Sequence, residues 1–106
     1  MERPSKADRK AKLANWKEAQ RETARKAFPL PDKVLSLFFE LLDQHVGQVG
    51  CKHSTALAQE TAKTIGLEPS ETSGLLEWCE QHGGFCDCEI VLNTAGHWEE
   101  NRRADS

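Results

Sequence analysis

The residues best suited to chemistry in this chain form two short pairs of soft ligands. Cys86 and Cys88 flank Asp87 in H-G-G-F-C-D-C-E-I-V-L-N over residues 82–93, and Cys51 and His53 flank Lys52 in G-C-K-H-S over residues 50–54. Zinc takes four tetrahedral ligands from thiolate and imidazole, at ~2.3 and ~2.0 Å, and a Cys3His set suits a closed structural site. Cys51, His53, Cys86 and Cys88 supply that set from two segments. One-residue spacing does not form an amide-lined turn by itself, as a C-x2-C knuckle does. A local set competes: Cys79 and His82, three apart on one helix face, combine with Cys86 and Cys88 as C-x2-H-x3-C-x-C. A third reading has no metal, the thiols serving as small buried hydrophobes. Soft thiolates also accept an iron–sulfur cluster or Cu(I).

Nucleophilic catalysis finds less support. A Cys79/His82 dyad has no orienting third group at a recognisable spacing, and the chain has no phosphate-binding loop. Asp87 or Glu89 would assist a metal-bound water only from the thiol side. In an extended segment both point the other way.

Helices must carry these pairs into place. Residues 5–28 are rich in Ala, Lys, Arg, Gln and Glu and end at Phe28-Pro29-Leu30-Pro31, which predicts a helix with a narrow apolar face of Leu13, Trp16, Ala24, Ala27 and Phe28. Residues 32–46 form the strongest helical pattern, with Val34, Leu35, Phe38, Leu41, Leu42 and Val46 recurring at three and four. His45 packs or hydrogen-bonds at its rim. Ser54 or Thr55 caps a third helix through Ile65, and Ser70 caps a fourth that stops at Gly83. Residues 85–92 then read as a strand, placing Cys86, Cys88, Ile90 and Leu92 on one face. Its expected partner is the segment 48–53, which would bring the two pairs together. The expected fold class is therefore mainly α (α+β): about four helices with a short β-strand or hairpin at the Cys/His motifs. The divisions are a basic arm at 1–28, a helical domain at 29–95 and a flexible polar tail at 96–106.

The 106 residues suffice for one domain with a thin margin of stability, which a metal staple would widen. The net charge of −3 conceals a division: residues 1–28 carry nine Lys/Arg against four acids, and the remainder carries five against thirteen. A basic arm on an acidic body can bind a partner or fold back on its own domain. No apolar run approaches the ~20 residues of a spanning helix. The charged N-terminus has no apolar signal region, so a cytoplasmic protein with reduced cysteines is expected, with no membrane partner.

The stretches G-C-K-H-S-T (residues 50–55) and E-W-C-E-Q-H-G-G-F-C-D-C-E-I-V-L-N (residues 77–93) resemble a small bacterial family of uncharacterised proteins, a domain of unknown function. Its recurring pieces are G-C-[DK]-H-[ST] and W-L-x-x-x-G-G-[FY]-C-D-C-E-[IV]. The likeness covers about residues 34–93. Cys51, His53, Cys86 and Cys88 match these motifs, whereas Cys79 stands where Leu is usual, so the resemblance favours the two-segment zinc site. It implies no activity.

Two functions follow. One is a small cytoplasmic domain stabilised by structural zinc, acting as a protein-interaction or accessory module, with a protein partner or a homo-oligomer. The alternative is a nucleic-acid-binding protein resembling a winged helix-turn-helix over residues 61–79 and the following strand, using the basic N-terminal arm. Glu68, Glu71, Glu77 and Glu80 surround its recognition helix, which has no Lys or Arg, and would repel phosphate.

Overall fold

The structure is a computed structural model, described for residues 6–102. Four helices follow one another: α1 Lys6–Lys26, α2 Asp32–Val49, α3 Ala56–Thr64 and α4 Pro69–Gln81. After a turn, α5 (Asp87–Glu89), a π-helical segment (Ile90–Thr94) and α6 (Ala95–Asn101) run on as a single C-terminal helix. Leu35, Phe38, Phe39 and Leu42 of α2 are buried against Ala58 of α3, Leu75, Trp78 and Cys79 of α4, and Ile90, Ala95 and Trp98 of the C-terminal helix. Apolar area removed from water at α2 is the main source of cohesion. The molecule measures 59 × 24 × 23 Å. A 21-residue helix is about 30 Å long at ~1.5 Å per residue, and α1, exposed along residues 9–23, accounts for the elongation.

The strand expected over residues 85–92 is not formed, and no strand occurs among the described residues. Alternation was the wrong period. Asp87, Ile90, Thr94, Ala95 and Trp98 are buried, a spacing of three, four, one and three that belongs to a helix, while Leu92, assigned to the inner face, is 74% exposed. Cys86, extended at φ −145° and ψ 170°, is the N-cap, and Asp87 and Glu89 place acid in the first turn, where the helix dipole favours it. The wing of a winged helix-turn-helix is thereby absent from these residues. The helix also enters the segment assigned to a polar tail, 96–106: Trp98 is buried, and its Nε1 donates to Asp32 Oδ1 at 3.0 Å. Arg102 donates to Asp32 Oδ2 at 2.8 Å and lies 4.3 Å over the Trp98 ring. Residues 103–106 of that tail, and residues 1–5 of the arm, lie outside the described residues.

One further detail differs from the sequence expectation. The cap of α4 is Glu68 rather than Ser70, in a capping box with Glu71 and with Pro69 in the first turn. α1 is tied down at its last turn, where Arg25 donates to Asn101 O at 2.9 Å and caps α6. Just beyond, Phe28 packs edge-on against Trp78 with centroids 5.7 Å apart. His82 and His97 stack next to Trp78, 3.7 Å apart and 11° from parallel.

The contact that ties the two ligand segments together is made by Asp87. Its buried carboxylate accepts the amide of Leu57 on Oδ2 at 3.2 Å and that of Ala58 on Oδ1 at 2.9 Å, and its own N–H donates to Ser54 O at 2.9 Å. No side chain within α3 caps its N-terminus through the N-cap position, so a carboxylate 30 residues away does so. The turn before Asp87 is equally constrained. Gly83 is left-handed at φ +79°, and a Cβ on Gly84 would run into Thr94 Oγ1 and stand 2.8 Å from Ile90 Cγ1.

Asp87→Ala leaves the buried Ala58 amide and the half-buried Leu57 amide without an acceptor and is expected to cost about 1–3 kcal/mol in denaturant unfolding, with Asp87→Asn milder. Gly84→Ala is expected to cost about 1–3 kcal/mol by overpacking. His97 is held below its ordinary pKa by burial first and by the neighbouring His82 second, against the opposing pull of Glu100. The unfolded chain therefore takes up this proton first as pH falls. Stability present above about pH 6.5 should be lost below it, and His97→Gln should flatten that part of a melting temperature-versus-pH curve.

Candidate metal centre

The end of α2 delivers the first ligand. Gly50, at φ +82°, turns the chain out of the helix with its N–H on Val46 O at 2.8 Å, and Cys51 follows in the loop to α3. Cys86 and Cys88 arrive from the other side, at the N-cap and in the first turn of the C-terminal helix. With Asp87 between them locked onto α3, their thiols meet Cys51: the three Sγ atoms lie within 4.8 Å of one another. Tetrahedral thiolates around a zinc ion are separated by about 3.8 Å, given ~2.3 Å bonds, which falls inside that limit. All four cysteines are free.

The cluster has its own electrostatics. The Cys88 N–H donates to Cys51 Sγ at 3.3 Å. Hydrogen bonding from the Cys88 thiol and then from this amide draws the Cys51 thiol down to about 7, with the His53 backbone contributing in the same direction. The Cys88 thiol is pushed up to about 11, first by its hydrogen bond to Cys51 and then by burial. At Cys86 the Glu89 backbone favours the thiolate, but burial and Cys51 outweigh it and the net direction is upward. Cys51 is thus the first of the three to ionise. A thiolate receiving a backbone N–H is the environment a structural metal ligand needs, and here the amide, that of Cys88, comes from the opposite segment rather than from one short turn.

Of the residues singled out in the sequence, the structure brings together Cys51, Cys86 and Cys88. His53 stands in the same loop as Cys51, exposed and with a left-handed φ of 60°, and is not among the groups within 4.8 Å. The local set does not assemble. Cys79 is fully buried, its thiol pushed up to about 12 by burial, and its carbonyl accepts Thr94 Oγ1–H at 3.3 Å and the Gly84 N–H at 2.7 Å. His82 stacks on His97 instead. A protonated, inaccessible Cys79 is no nucleophile. His45 Nδ1 lies 3.1 Å from Thr61 Oγ1, whose own hydroxyl donates to Leu57 O at 2.7 Å, so His45 acts as the donor. Asp87 was read as an outward carboxylate. The signal that could have placed it is an acid directly after an N-cap, followed by buried residues at helical spacing.

The family described as "Protein of unknown function (DUF2695)" matches residues 38–93, which include all three cysteines of the cluster and His53. The uncharacterized protein Rv2271 of Mycobacterium tuberculosis (strain ATCC 25618 / H37Rv) is 32% identical over 90 residues, covering 85% of this chain and 88% of the relative. The uncharacterized protein Mb2294 of Mycobacterium bovis matches to the same extent. No solved structure matches the chain. No helix among the described residues is long and apolar enough to cross a membrane. A domain match spanning both halves of the cysteine cluster, with relatives aligned over most of their length, makes this chain a member of the DUF2695 family of proteins of unknown function.

Proposed function

We propose that the chain is a small cytoplasmic domain stapled by one structural zinc ion, held by Cys51, Cys86 and Cys88 with His53 as the fourth ligand, and that it works as a protein-interaction or accessory module. The observation that carries this reading is the convergence of three thiols from two segments that the helical core holds side by side. Three soft sulfur donors favour zinc over hard cations. The fourth place falls to His53 on chemistry and proximity in sequence: an imidazole two residues from Cys51, exposed and unengaged by any described hydrogen bond, completes a Cys3His set. Closure of the loop 50–55 onto the C-terminal helix is what the ion would add to the fold, and such binding energy becomes folding energy. The module reading rests on the exposed basic helix α1 and on the absence of a nucleophile with an orienting base among the described residues.

Elemental analysis of protein purified without chelator or added metal tests the site. About one zinc per chain is expected. Cys51→Ser, Cys86→Ser, Cys88→Ser and His53→Ala should each lose the ion and lower the melting temperature by at least ~10 °C, the equivalent of a few kcal/mol in a domain of this size. Cys79→Ser and His82→Ala should keep zinc at wild-type content. Wild-type protein that carries no metal and is indifferent to chelator would reduce the cluster to three neighbouring thiols.

A further inference from the structure

α1 is exposed along residues 9–23. At 100° per residue, Leu13, Trp16 and Gln20 fall in one strip, with Lys10, Lys17 and Arg21 along one flank and Lys12 along the other. Leu13 is 52% and Trp16 59% exposed. Trp16, Lys17, Gln20 and Arg21 line a shallow cleft with Glu100 and Asn101 of α6 without being covered by it, and Leu13 lies outside that cleft. A helix tied to its domain chiefly at its last turn has little tertiary support along the rest of its length, and a largely exposed indole beside an aliphatic residue is a contact surface in want of a cover.

A surface that fits it lies elsewhere on the same molecule. α3 and α4 form an open groove of about 820 Å3, with Leu67 and Leu76 as apolar floor and Glu60 on its wall. Glu77 and Glu80, both exposed, continue the groove face of α4, which has no Lys or Arg. Lys63 is the one cation lining the groove, and no residue of α1 lines it in its own chain. Residues 9–26 hold seven Lys/Arg against two acids, whereas residues 27–102 hold four against twelve. The anionic surface that complements α1 therefore belongs to this chain, and that same surface would repel a nucleic acid drawn to the arm.

We propose that α1 of one copy lies in the α3/α4 groove of a second copy, Leu13 and Trp16 against Leu67 and Leu76, with Lys12, Lys17 and Arg21 facing Glu60, Glu77 and Glu80. The exchange is reciprocal and closes a two-fold dimer. It names the partner for the interaction role given above and is independent of the zinc ion, whose test reads metal content rather than mass.

Sedimentation velocity of the full chain at about 50 and 500 mM NaCl tests it, because interfacial charge pairs weaken over that range. A dimer at low salt that dissociates at high salt is expected. Trp16→Ala should weaken it at least ~tenfold, as loss of a buried aromatic anchor does, with helical circular dichroism unchanged. The pair Lys12→Glu with Lys17→Glu should be monomeric, as should Glu77→Lys with Glu80→Lys. Mixing these two variants makes both arms complementary to the opposite grooves and should restore the dimer. A wild-type monomer at low salt, a dimer indifferent to Trp16→Ala and to both charge reversals, or a mass shift seen only on adding duplex DNA would each overturn the proposal.

Discussion

A single buried carboxylate organises this molecule. Asp87 accepts two amides at the start of α3 and donates its own N–H to Ser54. A helix N-terminus leaves its first amides unsatisfied, and burying them unpaired is costly. Satisfying those of α3 from the start of the C-terminal helix pins together two segments 29 and 30 residues apart in sequence. The cysteine cluster follows from that joint, because Cys86 and Cys88 are the immediate neighbours of Asp87 and Cys51 lies three residues before Ser54. The C-D-C tripeptide is better understood as a clasp with a sulfur on each side than as a ligand pair with an incidental acid between.

The remaining joints use the same device. Asp32 at the start of α2 receives both the Trp98 indole N–H and Arg102, and Arg25 caps the end of α6 with its guanidinium. In each case a charged side chain from one element satisfies or neutralises a group on another, at the rim of the apolar core formed by α2, α4 and the C-terminal helix. Apolar burial supplies the cohesion, and these half-buried polar contacts set the order and register of the helices. The core is small, so the loop 50–55 and the turn 82–86, which present the thiols, depend on local constraints: a left-handed Gly83, a Gly84 with no space for a side chain, and the Asp87 clasp.

The helices α1 to α4 were legible in the sequence because each has its own periodic apolar face or composition and its own stop at Pro or Gly. The proximity of Cys51 to Cys86 and Cys88 was legible too, since soft ligands in two short pairs point to a shared site. The segment after Gly84 was not. Eight residues beginning F-C-D-C-E-I-V-L satisfy alternation and helical spacing almost equally well, and β-branched Ile90 and Val91 favour a strand locally. The helical period shows only in which residues are buried as far as Trp98, and the core they meet decides that.

What the sequence alone determined is the inventory: four helical segments, a basic arm on an acidic body, and the residue types of the candidate site. These are consequences of periodicity and charge, which are local. Tertiary structure decided that residues 87–101 are helical, that Trp98 belongs to the core, and that Cys79 and His82 part company with the other cysteines. It also decided that Asp87 faces α3. The reason is common to all four. Each depends on which amide, ring or carbonyl stands opposite, and a partner across 15 to 66 residues of chain leaves no mark on the local pattern.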